Sequence, residues 1–139
     1  MLLLVVVLPS CAGDGDFGND DIVGRWQPVE EEGYDEYMGE REEYSYTYSN
    51  DPEDYEIIME FTSDGKVYEY DAVDNEIDDE GTYEIKDGKL FITSYDYEGE
   101  KEVESSNIVS LTSSRLVIEN REKYEYGEYY LKMTLKKVK

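Results

Sequence analysis

From residue 22 onward, apolar and polar side chains alternate with a period of two. Ile57, Met59 and Phe61 fall on one side of an extended segment, with Glu56, Glu60 and Thr62 opposite. Tyr83 and Ile85 repeat the pattern, as do Leu90 with Ile92 and Leu116 with Ile118. Leu131, Met133 and Leu135 close the series against Lys132, Thr134 and Lys136. This is the period of strands with one face buried and one in water, and helical periodicity is almost absent. Eight strands are expected, near residues 22–28, 54–62, 66–72, 80–86, 89–96, 102–112, 115–121 and 127–137.

Turn chemistry joins these segments. TSDGKVYEY and IKDGKLFIT place Asp64-Gly65 and Asp87-Gly88 between strand-forming runs, and Asp-Gly suits the positive φ values of tight hairpins. TSSRLVIE supplies a third turn without glycine. Sequential hairpins of this number predict an all-β, eight-stranded antiparallel up-and-down β-barrel, whose closure removes both exposed edges. Eight strands leave an interior that side chains fill or that holds one small ligand. Closure would set the last strand, with Lys132, Lys136, Lys137 and Lys139, beside the first strand and the acidic Asp20-Asp21 and Glu30 to Glu32.

Residues 29–53 make a first connection longer than compact domains usually tolerate without a lid function or disorder. Tyr44, Tyr46 and Tyr48 alternate with Ser45 and Thr47, so part of it extends a strand. Two readings stand: these rings pack on the barrel exterior, or with Tyr34 and Tyr37 they form an aromatic rim around a ligand entrance.

Charge then narrows the function. Thirteen basic against 36 acidic residues give a formal charge of −23, with no histidine. Nucleic-acid binding needs a basic face to displace counterions, so that class is excluded, and docking of the folded body on anionic lipid is disfavoured. Fifteen Tyr, three Phe and one Trp supply the apolar area that a disordered acidic chain lacks. Without histidine, Ser-His, Cys-His and His-metal chemistry is unavailable. No phosphate-cradling loop or G-x-S-x-G elbow appears, and 36 acids single out no carboxylate pair for sugar hydrolysis. The expectation is a non-enzymatic, monomeric protein without cofactor. DGDFGNDD (14–21) and DAVDNEIDDEG (71–81) depart from the EF-hand spacing and read as solvated acidic surface, so no metal site is expected.

The chain opens MLLLVVVLPSCAGDGDFGNDD. Leu2 to Leu8 is too short to span a bilayer and fits the apolar part of an export signal. Leu8-Pro9-Ser10-Cys11, which ends in the sole cysteine, resembles the lipobox of bacterial lipoproteins, with Pro9 and the missing N-terminal lysine as departures. That resemblance implies a signal peptide over 1–10, acyl chains such as palmitate on Cys11, and a flexible acidic tether over 11–21. It also implies a place in the bacterial cell envelope, at the outer membrane, with the membrane touched through the anchor alone. The competing reading is a short apolar strand with Cys11 buried.

Gly24-Arg25-Trp26 opens the first strand as G-x-W, in the phrase I-x-G-x-W from Ile22, and G-T-Y-E-I follows at Gly81 to Ile85. With the DGK hairpins, these residues resemble the lipocalins and small lipocalin-like bacterial lipoproteins over roughly 22–137, which implies a barrel domain over 22–139. In that family the tryptophan packs across the closed end of the barrel beneath a basic residue from the last strand, a role open here to Lys136 or Lys137. The resemblance implies a small apolar or amphipathic ligand inside the barrel. Ile57, Met59, Phe61, Tyr83, Ile85, Leu90, Ile92, Leu111, Leu116, Ile118, Leu131 and Met133 would face it, under Tyr44, Tyr46 and Tyr48. The alternative is a filled barrel whose acidic, Tyr-rich exterior contacts a protein or glycan of the envelope.

Overall fold

The structure, a computed structural model, describes residues 17–139. The expected export signal over 1–10, Cys11 and residues 12–16 of the expected tether lie outside the described residues. Nine strands follow one another: β1 Gly24–Tyr37, β2 Glu40–Thr47, β3 Ile57–Phe61, β4 Lys66–Asp71, β5 Ile77–Lys86, β6 Lys89–Tyr95, β7 Lys101–Leu111, β8 Arg115–Tyr124 and β9 Gly127–Val138. One-turn helices stand at Asn19–Ile22 (α1) and Pro52–Tyr55 (α2).

Eight of the strands, β1 and β3 to β9, close an antiparallel barrel. β9 returns to β1 along the whole of its length, from Arg25↔Val138 to Tyr37↔Gly127. The expected closure between first and last strands is therefore present, and Lys132 Nζ reaches Glu32 Oε1 at 3.1 Å across it. The two Asp-Gly turns differ in form. Asp87 and Gly88 both have positive φ (53° and 72°), as a two-residue turn between the paired Lys86 and Lys89 requires. At Asp64-Gly65 only the glycine does, in a longer turn where Thr62 N–H donates to the Lys66 carbonyl.

Residues 29–53 are not the long loop expected. The register of β1 on β9 slips between Pro28 and Glu30, and beyond this bulge β1 runs on for eight residues paired with β2 from Glu30↔Thr47 to Tyr37↔Glu40. The alternation of Tyr44, Tyr46 and Tyr48 is the period of that extra strand. α2 then opens the stretch expected to be strand at 54–56, and Asp51 caps it by accepting from Glu53 N–H.

The described part of the stretch expected as tether over 11–21 is docked on the barrel. Phe17 packs on the core, and α1 plugs the barrel floor with Ile22, which is 0% exposed. The Asn19 side-chain carbonyl accepts from Ile85 N–H at 2.8 Å, and Tyr83 OH donates to the Thr62 carbonyl at 2.6 Å. Apolar area removed from water stabilises by ~25 cal/mol per Å², so Phe17 and Ile22 favour docking over a free tether.

Candidate functional site

Packing differs between the two ends of the barrel. At the floor, Trp26 is fully buried among Ile22, Phe61, Val67, Tyr83, Leu90, Ile108, Leu116 and Leu135. Its indole N–H donates to the Ile22 carbonyl at 2.8 Å. Lys137 crosses above it, with Nζ 5.0 Å from the ring centroid and donating to the Val23 carbonyl at 2.8 Å. Gly24, at φ +134°, is what lets the chain enter here; a Cβ would also stand 3.0 Å from Lys137 Cε.

Toward the other end the walls part. β1 pairs with β3 only from Gly24 to Trp26, and the β7–β8 ladder stops at Asn107↔Glu119. Beyond those points β3 to β7 form one wall, and β8, β9, β1 and β2 the other. A cavity of about 200 Å³ lies between them, lined by Ile57, Met59, Phe61, Leu90, Ile92, Leu116, Ile118, Leu131, Met133 and Leu135, with Glu69, Glu104, Ser106 and Asn120. A second recess of about 180 Å³ shares Met59, Glu69, Ile92 and Glu104 with it and adds Val67, Asp79, Glu80, Gly81, Ser94 and Glu102. The site is a cup with an apolar bottom and a carboxylate-rich side.

The acidic side follows from register. Glu69 stands directly opposite Asp79, on the face of Val67 and Gly81; Glu104 and Glu102 oppose Ile92 and Ser94. Burial lifts the Glu69 carboxyl above its ordinary range, and the Asp79, Asp78 and Glu104 charges add to that rise. Among the described residues no group of three acidic or cysteine side chains converges closely enough to hold a metal ion. In the 71–81 segment, the Asp71 and Asp74 carboxylates accept from backbone N–H groups of their own turn.

A lipocalin-like domain model matches residues 22–118. The chain belongs to the lipocalin-like family. Among solved structures, this lipocalin-like chain is similar to a lipocalin-like protein from Bacteroides uniformis at 17% identity. That match has a TM-score of 0.53 and covers 85% of this chain and 99% of the other, a likeness of fold. No curated protein matches it.

Within this lipocalin-like barrel, nine of the residues expected around a ligand line the cavity: Ile57, Met59, Phe61, Leu90, Ile92, Leu116, Ile118, Leu131 and Met133. Tyr83 and Ile85 sit lower, Tyr83 edge-on to Phe61 with ring centroids 5.0 Å apart. Lys137, not Lys136, covers Trp26. Lys137 is the residue paired with Trp26, whereas Lys136 points to the opposite face and donates to Asn50 Oδ1 at 2.6 Å.

Neither reading of the tyrosines holds in full. Register places Tyr44 and Tyr46 on the cup side of β2, beside Gly33 and Glu31, yet neither lines the cavity. Tyr44 lies over Gly33; burial raises its hydroxyl, as does a hydrogen bond with Tyr129. Tyr46 donates to Asp54. Tyr48, pushed up to about 12 by burial and by its bond to Glu31, stacks edge-on against Tyr46 at 4.8 Å. A hollow of about 400 Å³ beside the hairpin, lined by Glu32, Gly33, Tyr34, Glu43, Tyr44, Ser45 and Tyr130, opens broadly to solvent. It lacks the enclosure that small-molecule sites share.

Sequence reading missed Glu69, Asp79, Glu102 and Glu104 because it followed apolar residues. The available signal was parity: stepping by two from Val67 reaches Glu69, and stepping back from Ser106 reaches Glu104 and Glu102.

Proposed function

We propose that this lipocalin-like domain is a non-catalytic binding protein that holds one small, partly apolar molecule in the cup. The observation that carries this reading is the cavity of about 200 Å³ with ten apolar walls below parted strands. An interior needed only for folding would be filled, since unfilled space forfeits packing contacts. Size sets the scale of the guest: a ~150 Å³ apolar cavity already admits benzene, so this one suits a single ring or a short chain. We also propose that Cys11 carries lipid and hangs the domain from the envelope. More than one acyl chain is needed for stable anchoring, at ~0.8 kcal/mol per buried CH₂.

Native mass spectrometry of the domain, purified gently from its own cells, should show a retained small molecule. Leu131→Phe, which fills the cavity, should abolish retention with the thermal midpoint unchanged or raised. An empty wild-type domain would overturn the reading. Palmitate labelling that depends on Cys11, and loss of membrane fractionation in Cys11→Ser, test the anchor separately.

A second reading keeps a specific observation behind it. All eight residues of β2 are exposed and, among the described residues, its outer edge is unpaired, so the hairpin presents a strand to a protein or glycan partner.

A further inference from the structure

Taking the cup as the binding site proposed above, we infer that its guest is an organic cation: an amine whose apolar body, about one aromatic ring in size, fills the floor while its ammonium group meets the carboxylates of β4 to β7.

The cavity itself is the starting point. Its floor is apolar and its charged wall is of one sign: Glu69, Asp79, Glu80, Glu102 and Glu104 line the two recesses, and no lysine or arginine does. Among the described residues none of these five carboxylates belongs to an ion pair. Folding alone gives no reason for the arrangement. Like charges directly opposite in a ladder, as at Glu69 and Asp79, are destabilising, and Glu69 is half-buried while Asp79, Glu102 and Glu104 stand exposed at the mouth. Ser106 and Asn120 also put polar groups inward, but the charged breaks in the alternation stand together where the apolar cavity opens. Ground of that kind is relieved by a positive charge arriving with its own apolar surface.

The spacing selects among cations. The five carboxylates come from three strands and line an open recess, with no three converging as a metal's oxygen ligands must. An ammonium on a carbon body needs only one or two carboxylates nearby, and its body gains from the floor. A neutral molecule of equal shape would gain the floor alone. An anion would meet repulsion at the wall.

Three probes of matched shape separate these cases: 2-phenylethylamine, 2-phenylethanol and phenylacetate, titrated calorimetrically into the purified domain at low salt. The amine should bind at least about tenfold tighter than the alcohol, a gap of about 1.4 kcal/mol, with phenylacetate not binding. Glu69→Gln combined with Glu104→Gln should bring the amine to the alcohol's affinity and leave the alcohol unchanged. Circular dichroism would verify that the variant is folded. Glu84→Gln with Glu98→Gln makes the same charge change away from the cup and should leave the amine's preference intact.

Equal binding of amine and alcohol would overturn the cationic guest and spare the cavity reading. An equal loss in the control variant would trace the preference to overall charge and overturn it as well. Failure of all three probes would sink the cavity reading, and this inference with it.

Discussion

At Lys137 one ammonium serves two partners, the Val23 carbonyl at 2.8 Å and the Trp26 ring at 5.0 Å. A cation over an aromatic face contributes about 0.5–2 kcal/mol and a hydrogen bond to a carbonyl about 0.5–1.5 kcal/mol. Lys137→Met keeps the stem and removes both, so urea unfolding should show a loss of about 1–2 kcal/mol. Lys136→Met, one residue away on the opposite face, should stay within about 0.5 kcal/mol, as surface changes usually do. The distinction lies in register: position 137 opposes Trp26, and a strand's faces alternate. The faces were legible by parity, since Lys137 continues Leu131-Met133-Leu135 while Lys136 follows Lys132 and Thr134; the pairing of Lys137 with Trp26 itself was not.

Among the elements, β2 depends on a latch outside its own ladder. The Tyr46 hydroxyl and the Ser49 N–H both donate to Asp54 and hold its carboxyl below the usual range. Because the folded value is depressed, this latch is intact above the unfolded aspartate's ~3.9 and is lost as pH falls through the folded value. Hydrogen-exchange protection across Glu40–Thr47 should therefore drop between about pH 6 and pH 2. Asp54→Ala should show the low protection at both. The eight barrel strands were readable because each buries one face, so Ile57-Met59-Phe61 or Leu131-Met133-Leu135 betrays its period. β2 buries neither face, and Glu40-Arg41-Glu42-Glu43 carries no apolar signal. The cup's floor was readable for the same reason as the barrel, while its acidic wall was hidden by the very charge that distinguishes it.

On the scale of the whole molecule, 36 acids against 13 bases make self-repulsion the main electrostatic cost of compactness. The thermal midpoint should rise between about 0.02 and 0.5 M sodium chloride, as screening shortens the reach of each charge. Millimolar calcium should act in the same direction through weak, scattered binding. Differential scanning fluorimetry checks both, and a flat midpoint in both titrations would show the repulsion to be negligible.

Among the described residues, the parting of β7 from β8 above Asn107, together with the free flank of β2, means that this cylinder still has raw seams. A bare strand flank invites a neighbour's strand. Here each flank bristles: Glu102 and Glu104 on β7, Arg121 to Lys123 on β8, Glu40 to Glu43 on β2. Brine thus cuts both ways, steadying every single copy while lowering the fence that keeps copies from knitting together.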